Sequence, residues 1–94
     1  MVKAVFNGTV IAETEEYEIV EGNVYFPPEA IKREYFSESA LRTTCPWKGL
    51  ASYYSVSVDG QQASDVAWYY PAPSEAAANI KDYVAFYQQI VIEG

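Results

Sequence analysis

The chain has 94 residues, a length typical of one domain, so we expect a single domain over residues 1–94. Half of its residues are hydrophobic and nine are tyrosines, a composition too apolar for a disordered chain. The formal net charge of -7 argues against nucleic acids and membranes as partners, because both present negative charge to an acidic protein.

The first 26 residues have the pattern of short strands joined by tight turns. Asn7-Gly8 is a strong signal for a two-residue hairpin, and Glu21-Gly22-Asn23 marks a second reversal of the chain. These signals predict a meander of four strands. The predicted strands cover residues 1–6, 9–12, 17–20 and 24–26.

Pro27 and Pro28 end this meander. A helical segment is predicted from Pro28 to about Phe36, because proline suits the first helical position and Glu29 favours a helix N-terminus. Residues 37–44 are polar, and we expect a loop there.

The clearest strand of the second half covers residues 50–58, where apolar and polar side chains alternate. This alternation predicts that Tyr54, Val56 and Val58 face the core. A hairpin turn at Asp59-Gly60 and a strand over residues 66–70 follow.

Ser74 is a suitable N-cap for a short helix over residues 75–80, and residues 84–92 complete the domain as one or two strands. The whole pattern is about seven short strands with two short helical segments. It predicts a mainly β fold of two antiparallel sheets, arranged as a small sandwich or as two sheets meeting at an angle.

The segment Cys45-Pro-Trp-Lys-Gly49 concentrates unusual residue types at the start of the clearest strand. A reactive thiolate needs its pKa lowered, and the sequence has no histidine to do so. Lys48, three residues after Cys45, is placed to lie near the sulfur in a tight turn and to lower the thiol pKa. The alternative is a buried structural cysteine. Trp47 either fills the edge of the core or lines a pocket. Lys48 is either a donor to a phosphate or carboxylate, or a surface lysine.

Tyrosines occur in clusters with other aromatic residues. Because alternate strand residues face opposite ways, Tyr25, Tyr53 and Tyr69 are predicted to form an aromatic cleft that binds flat or cationic molecules. A tyrosine-rich sheet face or a dimer surface is the alternative. We expect a monomer or a weak homodimer.

One cysteine and no histidine cannot supply the four ligands of a structural zinc site or an internal disulfide. No glycine-rich phosphate loop is present either, so we expect neither a metal nor a cofactor. No apolar run approaches the ~20 residues of a membrane helix, and the N-terminus lacks a signal-peptide pattern. These features predict a cytoplasmic protein.

Three stretches, "EGNVYFPPE", "TTCPWKGLASYYSVSVDG" and "AWYYPAPSEAAANIKDYVAFY", resemble the domain of unknown function 427 family. The resemblance extends from Lys3 to Ile92 and implies a small bacterial cytoplasmic protein with a β-tent-like fold of two antiparallel sheets. Similar folds commonly carry zinc on paired Cys-x-x-Cys motifs, which this chain lacks. A nucleotidyltransferase label is attached to some members of the family. This sequence has no Gly-Ser nucleotide motif and no pair of metal-binding aspartates to support it.

The leading functional hypothesis is a module that binds a small anionic or carbonyl-bearing ligand in an aromatic pocket near the Cys45–Gly49 turn. The alternatives are an enzyme that uses Cys45 as a thiol or Lys48 as a Schiff base, and a structural or partner-binding domain. No catalytic residue is assigned. The candidate ligand-binding residues are Asn23, Tyr25, Cys45, Trp47, Lys48, Tyr53, Trp68 and Tyr70.

Overall fold

Nine strands pair only in antiparallel fashion in the computed structural model, which describes residues 1–94. They are β1 Val2–Phe6, β2 Thr9–Thr14, β3 Glu18–Val20, β4 Asn23–Tyr25, β5 Phe36–Cys45, β6 Gly49–Val58, β7 Gln61–Tyr69, β8 Val84–Phe86 and β9 Val91–Glu93. The mainly β class is confirmed. The strands form three sheets, in the orders β2-β1-β9, β3-β4 and β5-β6-β7-β8, since the β3-β4 hairpin forms a sheet of its own.

The segment expected to be a helix after Pro28 forms two short 3₁₀ turns, Pro28–Ala30 and Arg33–Tyr35. The chain is extended between them, where the backbone N–H of Lys32 donates to the carbonyl of Ile11 at 2.8 Å. Ile31 is buried in the core beside β2. The helix prediction was wrong because this tertiary pairing replaces the hydrogen bonds of a continuous helix.

Residues 37–44, expected to be a loop, lie within the ten-residue strand β5. This strand is at the edge of its sheet and pairs only with β6, so most of its side chains remain exposed and polar. Its register is interrupted between Glu38 and Arg42, a bulge of the kind common on edge strands. The absence of apolar alternation therefore concealed the strand.

The third helical turn, Glu75–Ile80, lies where a helix was predicted, and it is also 3₁₀. No helical segment combines the length and hydropathy needed to cross a membrane.

The main core fills the space between the three-stranded and four-stranded sheets. Tyr54, Val56 and Val58 of β6 are buried in it, as their alternation predicted. Phe26 is fully buried, packs edge-on against Phe86 at 5.5 Å, and exchanges two 2.8 Å backbone hydrogen bonds with β8. Phe26 thereby joins the end of β4 to the four-stranded sheet.

A second cluster lies on the opposite face of the four-stranded sheet. It contains the tyrosines whose strand neighbours face the main core, together with small alanines. Its buried members are Tyr25, Ala51, Tyr53, Tyr70, Ala77, Ile80 and Ala85. The four-stranded sheet is therefore covered on both faces.

We expect Phe26→Ala to lower the free energy of unfolding by about 3–5 kcal/mol, because it removes a fully buried ring and leaves a cavity. Equilibrium urea unfolding measures this loss. As a control, Ile19→Ala, at a side chain 58% exposed, is expected to change stability by less than about 0.5 kcal/mol. Equal losses in the two variants would contradict the assigned core.

Candidate functional site

The turn between β5 and β6 is fixed by backbone geometry and by Ser74. Cys45 pairs with Gly49, which has a φ of +113°, a conformation that favours glycine. A Cβ on Gly49 would also meet the carbonyl oxygen of Ala72 at 3.4 Å. The Ser74 hydroxyl donates to the Trp47 carbonyl at 2.6 Å, and the Ser74 backbone N–H donates to the Lys48 carbonyl at 3.0 Å.

Ser74 occupies the N-cap position of Glu75–Ile80, as the sequence predicted, but its side chain makes no capping hydrogen bond there. Its hydroxyl is instead used to hold the Cys45–Gly49 turn. The turn is therefore anchored to the chain that follows β7, and its side chains have a defined position.

Lys48 is buried by this arrangement, with only 4% of the residue exposed. Its ammonium forms a hydrogen-bonded ion pair with Glu21. The Nζ atom also lies 5.2 Å from the centre of the Trp47 ring and 5.5 Å from that of Tyr70. The cation–π attraction to the two rings and the ion pair with the Glu21 carboxylate together offset the loss of hydration of the buried ammonium.

Glu21 comes from the exposed turn between β3 and β4, where it has a φ of 55°. Its carboxylate accepts from two donors: Oε1 from the ammonium of Lys48, and Oε2 from the indole N–H of Trp47 at 3.3 Å. The two donors are consecutive residues of the Cys45–Gly49 turn. Together they form a two-donor anion site, which the carboxylate of Glu21 occupies.

The ionisation states follow from these contacts. Burial is the largest single influence on the pKa of Lys48 and lowers it, but the hydrogen bond to Glu21 and the electrostatic effects of Tyr25, Tyr70 and Glu21 together raise it more, so the ammonium keeps its proton well above neutral pH. The hydrogen bonds from Lys48 and Trp47 lower the pKa of the Glu21 carboxyl. A Schiff base requires a neutral amine, and this geometry disfavours one at Lys48.

Cys45 is half-buried at the end of β5. Burial raises the pKa of its thiol, and the nearby backbone N–H groups of Lys48 and Trp47, with the ammonium of Lys48, lower it more. The net pKa is below the usual value. The geometry thus makes the thiol more acidic than an ordinary cysteine, without providing a histidine as a proton acceptor.

The tyrosines predicted to form an open cleft do not share one surface. Tyr69 faces the other side of the sheet, where its ring stacks on Tyr54 at 4.6 Å and its hydroxyl donates to Glu38 at 3.1 Å. The prediction for Tyr69 was wrong because Trp68, not Tyr69, pairs with Tyr53 across the strands.

The other aromatic candidates pack against one another in the second cluster. Tyr25 is fully buried, and its hydroxyl accepts from the indole N–H of Trp68 at 3.1 Å. The hydroxyl of Tyr53 is 2.9 Å from that of Thr43 and 3.3 Å from that of Tyr87. These residues pack beneath the Cys45–Gly49 turn in the second cluster and do not line an open cleft.

The structure brings four candidates, Cys45, Trp47, Lys48 and Tyr70, to the turn and its surroundings. Asn23 begins β4, two positions after Glu21, and its side chain makes no hydrogen bond within the protein. Sequence reasoning missed Glu21. An acidic residue in a glycine turn was visible, but its partner lies 27 positions further along the chain.

Two open depressions of the surface are lined by other residues. One, of about 500 Å³, contains four glutamates. The other, of about 660 Å³, is lined by Asp65, Tyr87, Gln88 and Gln89.

The fold and site define a small mainly β domain with a buried, aromatic-flanked lysine held by a carboxylate from a neighbouring hairpin. Residues 1–93 match the family described as Domain of unknown function (DUF427), and the chain belongs to that family. This confirms the resemblance found in the sequence. No curated protein matches the chain significantly.

We expect Glu21→Gln to reduce stability at neutral pH and to do so less at low pH. The folded-state pKa of Glu21 is below its ordinary value of 4.5, so the ion pair contributes stability above that pH and loses it as the pH falls through the folded pKa. Because the pKa of Lys48 is raised, its contribution persists up to its ordinary value of 10.5 and is lost as the pH rises further.

Urea unfolding of the unchanged protein and of Glu21→Gln between about pH 3 and pH 8 measures the difference in their free energies of unfolding. Glu15→Gln, at an exposed carboxylate without a hydrogen-bond partner, is the matched control and is expected to give a difference near zero. A Glu21→Gln effect that does not change with pH would show that the ion pair is absent in solution.

Proposed function

We propose that this domain binds a small anionic or carbonyl-bearing ligand at the Cys45–Gly49 turn, in the position now held by the Glu21 carboxylate. The observation that carries the proposal is the pair of donors, the Lys48 ammonium and the Trp47 indole N–H, which already hold a planar two-oxygen acceptor. A ligand carboxylate, or two oxygens of a phosphate, would present the same acceptors.

The backbone that carries the two donors is anchored, whereas the acceptor lies on an exposed hairpin tip. Lys48 is buried between two rings, and its carbonyl and that of Trp47 are both bonded to Ser74. Glu21 is exposed on the tip of a short hairpin. A ligand therefore displaces a surface side chain from two donors on an anchored turn, and the buried ammonium exchanges one anion for another.

The rings of Trp47 and Tyr70 give the ligand an apolar contact next to the ammonium. Asn23, two positions from Glu21, has a side-chain amide without a hydrogen bond within the protein and offers the ligand a third polar group. We further propose a cytoplasmic protein that acts as a monomer or weak homodimer, with the small ligand as its partner.

Glu21→Gln removes the competing charge and keeps the shape of the side chain. We expect it to bind an anionic ligand about tenfold more tightly than the unchanged protein. Lys48→Met is expected to weaken binding at least about tenfold and to remain folded, because methionine fills a similar volume and leaves only an exposed carboxylate unpaired. An NMR shift titration with dicarboxylates, phosphosugars, nucleotides and flat amides measures both effects.

The weak surface pair Lys32–Glu13, whose charged atoms are 3.8 Å apart, provides the matched controls Lys32→Met and Glu13→Gln. We expect these two variants to bind as the unchanged protein does. The proposal fails if no compound of the panel shifts the Lys48 and Trp47 signals, even in Glu21→Gln.

A second candidate function is thiol chemistry at Cys45. The observation that favours it is the net lowering of the thiol pKa by the turn's backbone N–H groups and by Lys48. Cys45 is the only cysteine, so alkylation reports on one site. Because the thiolate is the reactive form, this function requires a higher rate than that of a model thiol at neutral pH.

We expect the rate of reaction with iodoacetamide to rise with pH around a midpoint below the ordinary value of 9.0. Lys48→Met should move that midpoint upwards, because it removes the neighbouring positive charge. Lys32→Met is the control and should leave it unchanged. A midpoint at or above that of a model thiol would exclude Cys45 as a nucleophile.

A further inference from the structure

The depression between the four-stranded sheet and the chain after β8 is separate from the Lys48–Glu21 pair and shares no residue with it. It measures about 660 Å³ and is lined by one aromatic ring, one carboxylate and two side-chain amides. No lysine or arginine lines it, so an anion would find a carboxylate there and no counter-charge. These groups are Tyr87, Asp65, Gln88 and Gln89.

Tyr87 offers a fixed ring to solvent. It is 44% exposed, although its backbone N–H is bonded to Val66 at 2.8 Å. Its ring is parallel to that of Tyr53 within 8°, and Trp68 packs against it with a centroid distance of 4.6 Å. The ring therefore has aromatic support behind it and loses little freedom when a ligand covers it.

The hydroxyl of Tyr87 points into the protein network rather than acting as a free acid or base. It lies 3.3 Å from the hydroxyl of Tyr53, and this hydrogen bond, with burial, raises the pKa of Tyr87 to about 12. Because the hydroxyl is already bonded to Tyr53, a ligand contacts Tyr87 through its ring.

Asp65 is a positioned acceptor beside this ring. It has a φ of 57°, and its backbone N–H donates to the hydroxyl of Ser55 at 3.1 Å. One carboxylate oxygen accepts from the hydroxyl of Ser39, and the other takes no hydrogen bond from the protein. The register of β6 and β7 is irregular here, as at many ligand sites built on strands.

A neutral molecule that carries many hydroxyl groups matches this set. The C–H face of a sugar ring packs on an aromatic ring, and its hydroxyls donate to a carboxylate while donating to and accepting from amides. We propose that Asp65, Tyr87, Gln88 and Gln89 form a binding site for a neutral saccharide, with Tyr87 as the platform and Asp65 as the main acceptor.

Titration of the full chain with cellobiose, maltose and diacetylchitobiose, followed by NMR, tests this proposal. We expect saturable shifts at Asp65, Tyr87 and the Trp68 indole for at least one sugar, with a Kd on the order of 1 mM. Tyr87→Ala should weaken binding at least about tenfold, whereas Tyr87→Phe should retain it within about threefold, because the ring is kept.

Tyr17→Ala is the matched control, since Tyr17 is 40% exposed but lines no depression. Asp65→Asn keeps a residue suited to positive φ and should reduce affinity by removing the charged acceptor. Silence with all three sugars would overturn the proposal. Shifts at the same residues with choline but with no sugar would overturn the saccharide class and assign a cationic ligand.

Discussion

The buried ammonium of Lys48 is the constraint on which the site depends. A charge this deeply placed needs an anion, and the Glu21 carboxylate supplies it from a separate two-stranded sheet. The rings of Trp47 and Tyr70 complete its surroundings, and Ser74 holds the turn that carries it. One charge therefore ties together the β3-β4 hairpin, the β5-β6 turn and the segment after β7.

The two faces of the four-stranded sheet pack against different parts of the protein and differ in composition. The face with Val56 and Val58 packs against the β2-β1-β9 sheet and forms a core mainly of aliphatic side chains and phenylalanines, with Tyr54. The other face carries tyrosines with alanines between them, and the tyrosine hydroxyls and the Trp68 indole satisfy one another. A polar aromatic cluster of this kind can accept a lysine at its border, where a purely aliphatic core would not.

Local patterns in the sequence were enough for the fold class and for part of the site. Alternation along β6 identified its core face, and the Cys45–Gly49 turn stood out by residue type. The edge strand β5 was hidden because its side chains are exposed on both faces, and the helix after Pro28 was overruled by pairing with β2. Both failures come from tertiary context, which a single window of sequence does not contain.

The same limit explains the residues that were missed. Glu21 meets Lys48 only because a hairpin packs against a turn 27 positions later, and Tyr87 meets Tyr53 across 34 positions. Which of Tyr69 and Tyr70 faces the second cluster could be assigned only from the β6-β7 register, since a shift of one residue exchanges the two faces of a strand. The sequence therefore indicated which residue types mattered, and the register decided which of them meet.

The most direct test of the Lys48–Glu21 pair is an NMR pH titration that follows the Glu21 carboxyl carbon and the Trp47 indole N–H together. We expect the carboxyl of Glu21 to titrate below its ordinary pKa of 4.5, and the Trp47 indole signal to shift with the same midpoint. If Glu21 titrates at or above 4.5 and the indole signal does not respond, Lys48 is not held by Glu21, and the account of this site is wrong.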